Sequence, residues 1–199
     1  MLDRWFEQQV TPRLRGRAFL VRYADDAVLA FAREDDARRV LAVLGRRLAR
    51  YGLTLHPDKT RLVDFRRPPR GPGAHFDLLG FRHFWAKSRR GRWVVTRKTA
   101  ADRMRRALQA IGQWCRTHRH RPLREQQRAL SRMLTGHAAD YGITGNGRAL
   151  ARFHREGQRR WRYWLNRRSR KAAMPWARFR RLLAHYPLPP PRVIHSIYA

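Results

Sequence analysis

The chain is short of cysteine, lysine, acidic residues and long apolar runs, and each shortage closes off a class of protein. Cys115 is the only cysteine among 199 residues, so neither a disulfide framework nor a cysteine-ligated zinc site can be built. It is expected to pack as a small apolar side chain. No stretch approaches the roughly 20 apolar residues of a membrane span. Met1-Leu2-Asp3-Arg4-Trp5 lacks the apolar core of a signal peptide. A cytoplasmic protein with no membrane partner is therefore expected. Acids are outnumbered: 14 Asp and Glu face 46 Lys and Arg, for a formal net charge of +32. Solubility needs far less, so the excess implies a polyanionic partner, nucleic acid first. Lys59, Lys87, Lys98 and Lys171 are the only lysines. The remaining basic residues are arginines, which bind phosphate bidentately and stack on bases. A codon bias towards arginine would give the same ratio, so the ratio itself carries no mechanism.

What is present is enough for a core. Hydrophobic residues make up 43% of the chain, and the length suits one large domain or two small ones. Phe19–Tyr23 and Ala27–Ala32 are β-prone runs on either side of Ala24-Asp25-Asp26, which reads as a hairpin with two carboxylates at its tip. A turn alone would explain Asp-Asp. In a very basic chain, however, adjacent carboxylates also suit divalent metal chemistry on nucleic acid, because hard cations prefer carboxylate oxygens and nucleotidyl transfer places two Mg²⁺ ions on the reacting oxygens. Glu34, Asp35 and Asp36 favour a helix start. Ala37, Val40, Leu41, Leu44, Leu48 and Tyr51 then follow at helical spacing up to Gly52. Beyond it lie an extended Leu53-Thr54-Leu55, a turn at His56-Pro57-Asp58-Lys59 and a strand over Thr60–Phe65. Next come a loop at Pro68-Pro69-Arg70-Gly71-Pro72-Gly73, a strand over Phe76–Trp85, a basic turn at Ser88-Arg89-Arg90-Gly91 and a strand over Trp93–Thr96.

From Thr99 the period becomes helical. Met104, Leu108, Ile111 and Cys115 share a face. Pro122 opens a second helix carrying Leu123, Leu130, Leu134 and Tyr141. A third runs from about Asn146 with Leu150, Phe153, Trp161, Trp164 and Leu165, and a fourth from Pro175 with Trp176, Phe179, Leu182 and Leu183. These aromatics are expected in the core of a small bundle with a basic coat. Residues 157–186 contain no Asp or Glu, so their arginines lack the acid partners of a merely solvated face. Arg159, Arg160, Arg167 and Arg168 are the candidate RNA contacts. Pro187-Leu188-Pro189-Pro190-Pro191 is expected to be extended and to dock on the bundle.

Taken in order, Arg22-Tyr23-Ala24-Asp25-Asp26, Gly52-Leu53-Thr54-Leu55-His56-Pro57-Asp58-Lys59-Thr60 and Phe76-Asp77-Leu78-Leu79-Gly80-Phe81 resemble the palm blocks of group II intron reverse transcriptases. Tyr141-Gly142-Ile143-Thr144-Gly145-Asn146 and Leu165-Asn166-Arg167-Arg168-Ser169 resemble that family's maturase-specific thumb, or X, domain. The resemblance implies an α+β fold: a partial reverse-transcriptase palm of antiparallel strands plus helix over residues 1–96, then an all-α thumb or maturase bundle over 97–199. It implies Asp25 and Asp26 as catalytic Mg²⁺ ligands. Tyr23 would pack beneath the primer end, the Leu79-Gly80-Phe81 hairpin would form the primer grip, and Lys59, in the block with Pro57 and Thr60 that supports the palm, would be among the primer/template-binding residues.

In this family a fingers region, a further metal-binding Asp and a glycine-containing segment precede the Asp-Asp block, whereas only 24 residues precede Asp25 here. Among these, Asp3 and Glu7 sit in a helix-like run with Trp5, Phe6 and Val10. The resemblance thus implies the C-terminal portion of a reverse transcriptase/maturase. Its partners would be intron RNA, an RNA/DNA primer-template and a separate N-terminal reverse-transcriptase fragment, and the chain alone would not be polymerase-competent. The alternative is a non-catalytic arginine-rich maturase or RNA-packing protein, which leaves the Asp-Asp hairpin unexplained.

Overall fold

The computed structural model describes residues 1–67, 74–88, 90–169 and 173–196; the expected loop at 68–73 and Arg89 of the basic turn lie outside them. The chain divides into two compact units, Met1–Leu79 with Phe84–Val94, and Gly80–His83 with Val95–Ala199.

The first unit begins with α1 (Leu2–Trp5), continued by a π-turn over Phe6–Val10 and a 3-10 turn over Thr11–Arg13. Pro12 lies in that last turn, and Leu14 leaves it in an extended conformation. β1 (Ala18–Tyr23) and β2 (Asp26–Phe31) pair antiparallel from Ala18 opposite Phe31 to Tyr23 opposite Asp26. The expected hairpin is present, closed by Ala24 and Asp25. α2 (Glu34–Ala49) buries Ala37, Val40 and Leu44. Together with Trp5, Phe6 and Val10, the last two form a core on which Leu20, Leu29 and Phe31 pack from the hairpin. The buried Asp36 joins the start of α2 to the loop between the 3-10 turn and β1 by accepting the N–H groups of Arg15 (3.0 Å) and Gly16 (2.9 Å). Gly52 ends the helix as expected. At φ +68° it lets Leu53 N–H reach back to Leu48 O (3.2 Å), the pattern of a Schellman cap.

Two strand expectations need correction. Thr60–Phe65 carries no ladder. Its β-prone side chains are used in packing: Phe65 lies against Phe76 and Trp85, its carbonyl takes the Trp85 indole N–H (2.9 Å), and Arg61 donates to the carbonyl of His75 (2.8 Å). The single strand over Phe76–Trp85 is two, β3 (His75–Leu78) and β4 (Phe81–Lys87), which with β5 (Trp93–Thr99) form a sheet in the order β3-β4-β5. The break falls at Leu79 (φ +52°) and Gly80 (φ +79°), both in the left-handed region that tight two-residue hairpin turns require.

In the second unit α3 (Ala101–Thr117), α4 (Leu123–Tyr141), α5 (Gly147–Leu165) and α6 (Trp176–His185) match the four expected helices. Met104, Leu108, Ile111, Cys115, Leu130, Leu134, Phe153, Trp161, Leu165 and Phe179 form one buried core. Burial pushes the Cys115 thiol up to about 12, consistent with a packing role. Trp176 is not core: it is 45% exposed, edge-on to Phe179 and covered by the Arg162 guanidinium at 4.1 Å. The loop between α3 and α4 is fixed from inside. Buried Gln126 donates to the carbonyls of Arg119 (3.1 Å) and Arg121 (2.8 Å) and accepts the Trp161 indole N–H (2.9 Å).

Asn146 joins strand to helices. Its side chain accepts the Thr99 N–H (2.9 Å) and donates to Thr99 Oγ1 and to the Tyr141 carbonyl, both at 2.8 Å. Asn146→Ala would leave a buried donor and acceptor unpaired, at about 1–3 kcal/mol each. The expected outcome in urea unfolding is a loss of about 3 kcal/mol; an unchanged midpoint would show that this junction is not structural.

Candidate catalytic turn and arginine surface

The β1–β2 turn displays both candidate carboxylates to solvent. Ala24 sits at φ +53°, a conformation costing a non-glycine residue about 1–2 kcal/mol. Strain of this kind persists where the surroundings over-determine the backbone, and here Arg22 does so. Its Nη1 donates to the Ala24 carbonyl (3.1 Å), while Nε and Nη2 grip Asp3 at 2.8–3.1 Å. This hydrogen bonding holds the Asp3 carboxyl below the usual carboxylate range and raises Arg22.

The consequence reaches the aspartates. Asp3, Glu34, Asp35, Asp36, Asp64, Asp102, Glu125 and Glu156 each lie within ion-pair distance of an arginine. Asp25 and Asp26 form no ion pair among the described residues. Arg22, the cation on the adjoining strand, is turned to Asp3 instead. Two neighbouring carboxylates without an internal counterion are available to a hard cation from solution. Among the described residues no third His, Cys, Asp or Glu joins them into a metal-holding group. The described side chains therefore do not by themselves fit a self-contained Mg²⁺ site.

The other candidate positions are dispersed. Tyr23 is 66% exposed, and with Phe19 and Val21 it forms an uncovered apolar row on alternate residues of β1. Lys59 is exposed in a turn whose N–H groups at Lys59 and Thr60 both bond the His56 carbonyl. Leu79 is half exposed in its left-handed conformation. Gly80 is required twice over, by its positive φ and by the Tyr141 hydroxyl, which would lie 3.0 Å from a Cβ added there. Phe81 meets Tyr141 edge-on, ring centroids 5.3 Å apart.

The four candidate arginines differ in kind. Arg159 and Arg160 reach Glu156 (2.8 and 3.5 Å), which immediately precedes the acid-free window. Arg167 lies 3.8 Å over the Tyr163 ring. Arg168 is committed to the fold: it donates to the carbonyls of Arg119 and Arg121, and burial lowers its basicity. Sequence reasoning passed over two more open rows. Arg124, Arg128 and Arg132 on α4, and Arg148, Arg152 and Arg155 on α5, are exposed without acid partners among the described residues. Their signal was like charge at i,i+4 and i,i+3, which costs an isolated helix a few tenths of a kcal/mol per pair and is not expected on a face built only for stability.

Residues 2–90 match the model of the family described as reverse transcriptase (RNA-dependent DNA polymerase). The match spans the aspartate hairpin, α2 and the strands through β4, so the likeness covers the first unit. No curated protein and no solved structure matches the chain.

Ala24→Gly removes the left-handed strain while leaving both aspartates. The expected outcome in chemical denaturation is a gain of about 1 kcal/mol; a loss of similar size would mean that the Ala24 methyl is held by contacts worth more than the strain.

Proposed function

We propose that the chain works as the C-terminal portion of a group II intron reverse transcriptase/maturase, in which the first unit carries the palm aspartates and the arginine-coated second unit holds intron RNA. The observation that carries the reading is the reverse-transcriptase match over residues 2–90, within which Tyr23-Ala24-Asp25-Asp26 closes a strained hairpin whose carboxylates form no ion pair among the described residues. The open arginine rows of α4 and α5 support the second half. Such rows repel themselves unless they meet a polyanion, and guanidinium groups suit phosphate bidentately. In this reading Asp25 and Asp26 belong to a Mg²⁺ site whose remaining donors come from a separate N-terminal reverse-transcriptase fragment. Leu79, Gly80 and Phe81 act at the primer, with Tyr23 beneath its end and Lys59 nearby. By itself the chain binds RNA without polymerising, in the cytoplasm.

Primer extension on an RNA template with Mg²⁺ tests this. The chain alone is expected to be inactive. Mixed with an N-terminal reverse-transcriptase fragment it is expected to extend the primer, and Asp25→Ala with Asp26→Ala is expected to abolish that, because removing part of a preorganised charge cluster costs about 10²–10³ or more in rate. Extension that survives the double substitution would overturn the assignment of the aspartates. RNA binding without extension under any complementation would favour the non-catalytic RNA-packing reading.

A further inference from the structure

Tyr163 near the end of α5 and Trp176 at the start of α6 stay about half exposed, 46% and 45%, while Trp161 and Phe179 beside them in sequence are fully buried. Single exposed aromatics are common on protein surfaces. These two differ in being fixed and in carrying a cation. Arg167, one turn on from Tyr163, sets its guanidinium 3.8 Å over that ring, and Tyr163 stands perpendicular to Trp164 (5.1 Å), which packs on the helical core. Arg162, the residue before Tyr163, sets its guanidinium 4.1 Å over Trp176, which meets buried Phe179 edge-on at 5.9 Å. The approach to α6 is held from both sides at one residue: the Met174 N–H donates to the Asn166 side chain (2.6 Å), and its carbonyl accepts Arg162 Nη1 (2.7 Å). The rings are therefore placed before any ligand arrives, which lowers the ordering cost of binding.

The surroundings are cationic without relief. Residues 157–186 contain no Asp or Glu, and Arg178, Arg180 and Arg181 on α6 are exposed with no acid partner among the described residues. A partner for this surface must bring anions and also flat faces that stack on aromatic rings and guanidinium planes. An acidic peptide brings the anions without the flat faces. A duplex keeps its bases stacked on one another and shows only phosphates and base edges. Unpaired nucleotides bring both.

We infer that the end of α5 and the start of α6 form a platform on which unpaired bases of single-stranded RNA stack, with Tyr163 and Trp176 as the rings and the neighbouring arginines on the flanking phosphates. The inference rests on the reading of RNA as the partner, and it adds the state of RNA that this surface takes, an open strand. Stacking of this kind tolerates any sequence, because every base has a flat face.

The test compares the full chain's affinity for a single-stranded RNA, for an abasic strand with the same number of phosphates, and for the same sequence as a duplex. The single strand is expected to bind about tenfold tighter than the abasic one at equal salt. Tyr163→Ala with Trp176→Ala is expected to remove that advantage and to leave abasic and duplex affinities unchanged, whereas Tyr163→Phe with Trp176→Phe keeps flat rings and is expected to keep most of it. Circular dichroism checks that both variants fold. Because Trp176 touches Phe179, the unsubstituted chain is also photocrosslinked to single-stranded RNA carrying 5-iodouridine, and peptide mapping is expected to find the RNA on Tyr163 or Trp176. Equal affinity for strands with and without bases, or crosslinks confined to other residues, would overturn the platform and leave the RNA reading standing on phosphate contacts. A duplex affinity that falls as far as the single strand's in the alanine variant would overturn the preference for an open strand. Failure to bind any of the three would overturn the platform and the RNA reading together.

Discussion

The constraint on which the rest of the molecule depends is the imbalance between cations and carboxylates. With 46 basic residues and 14 acids, each internal ion pair consumes a scarce partner, and the positions of the pairs show what the fold protects. Asp36 fixes the loop before β1, Asp3 draws off Arg22, Asp102 and Glu156 neutralise arginines on their own helices, and Glu125 pairs with Arg121 just ahead of α4. Individually such exposed pairs contribute little. Their distribution matters more, because it leaves whole rows of arginine uncompensated on α4 and α5 and leaves the Asp25–Asp26 turn free of any internal cation among the described residues. Both departures from neutral pairing point outward, one to a polyanion and the other to a cation.

The two units meet the charge problem differently. In the first, Asp3 and Arg22 act as a clamp: the guanidinium held by Asp3 also steadies, through Nη1, the strained Ala24 backbone. In the second, the apolar stripes of four helices close on Trp161, Phe179 and Ile111, and the polar groups kept inside, Gln126 and Asn146, have hydrogen-bond partners. Unpartnered buried nitrogens remain at His137 Nε2, His154 Nε2, Arg119 Nε and Arg162 Nε.

The long elements were legible because their apolar periodicity was long enough to decide them. Met104, Leu108, Ile111 and Cys115 at helical spacing give a helix whatever surrounds them, and the hairpin around Asp25 declared itself by two β-prone runs and a turn. Thr60–Phe65 misled because β-propensity describes a residue while a strand needs a backbone partner. Apolar pattern alone ran one strand through Leu79, because leucine rarely takes a positive φ, whereas the resemblance implied a hairpin at Leu79-Gly80-Phe81, where the turn is found. At the site, the aspartate pair was visible in the sequence, but which carboxylates meet an arginine was not, since a pair such as Asp3 with Arg22 joins residues nineteen positions apart. The commitment of Arg168 was equally hidden: its acceptors are backbone carbonyls, which any residue supplies.

The central claim is that the second unit's uncompensated arginines meet nucleic acid phosphate. Its most direct test is the affinity of the full chain for a structured RNA across a salt series, compared with Arg124→Gln, Arg128→Gln, Arg132→Gln and with Arg148→Gln, Arg152→Gln, Arg155→Gln. The account predicts that log affinity falls with log salt by about 0.7–0.9 per phosphate contacted. It also predicts that each triple substitution makes the slope shallower while circular dichroism stays unchanged. A salt-independent affinity, or a slope untouched by both triples, would contradict it.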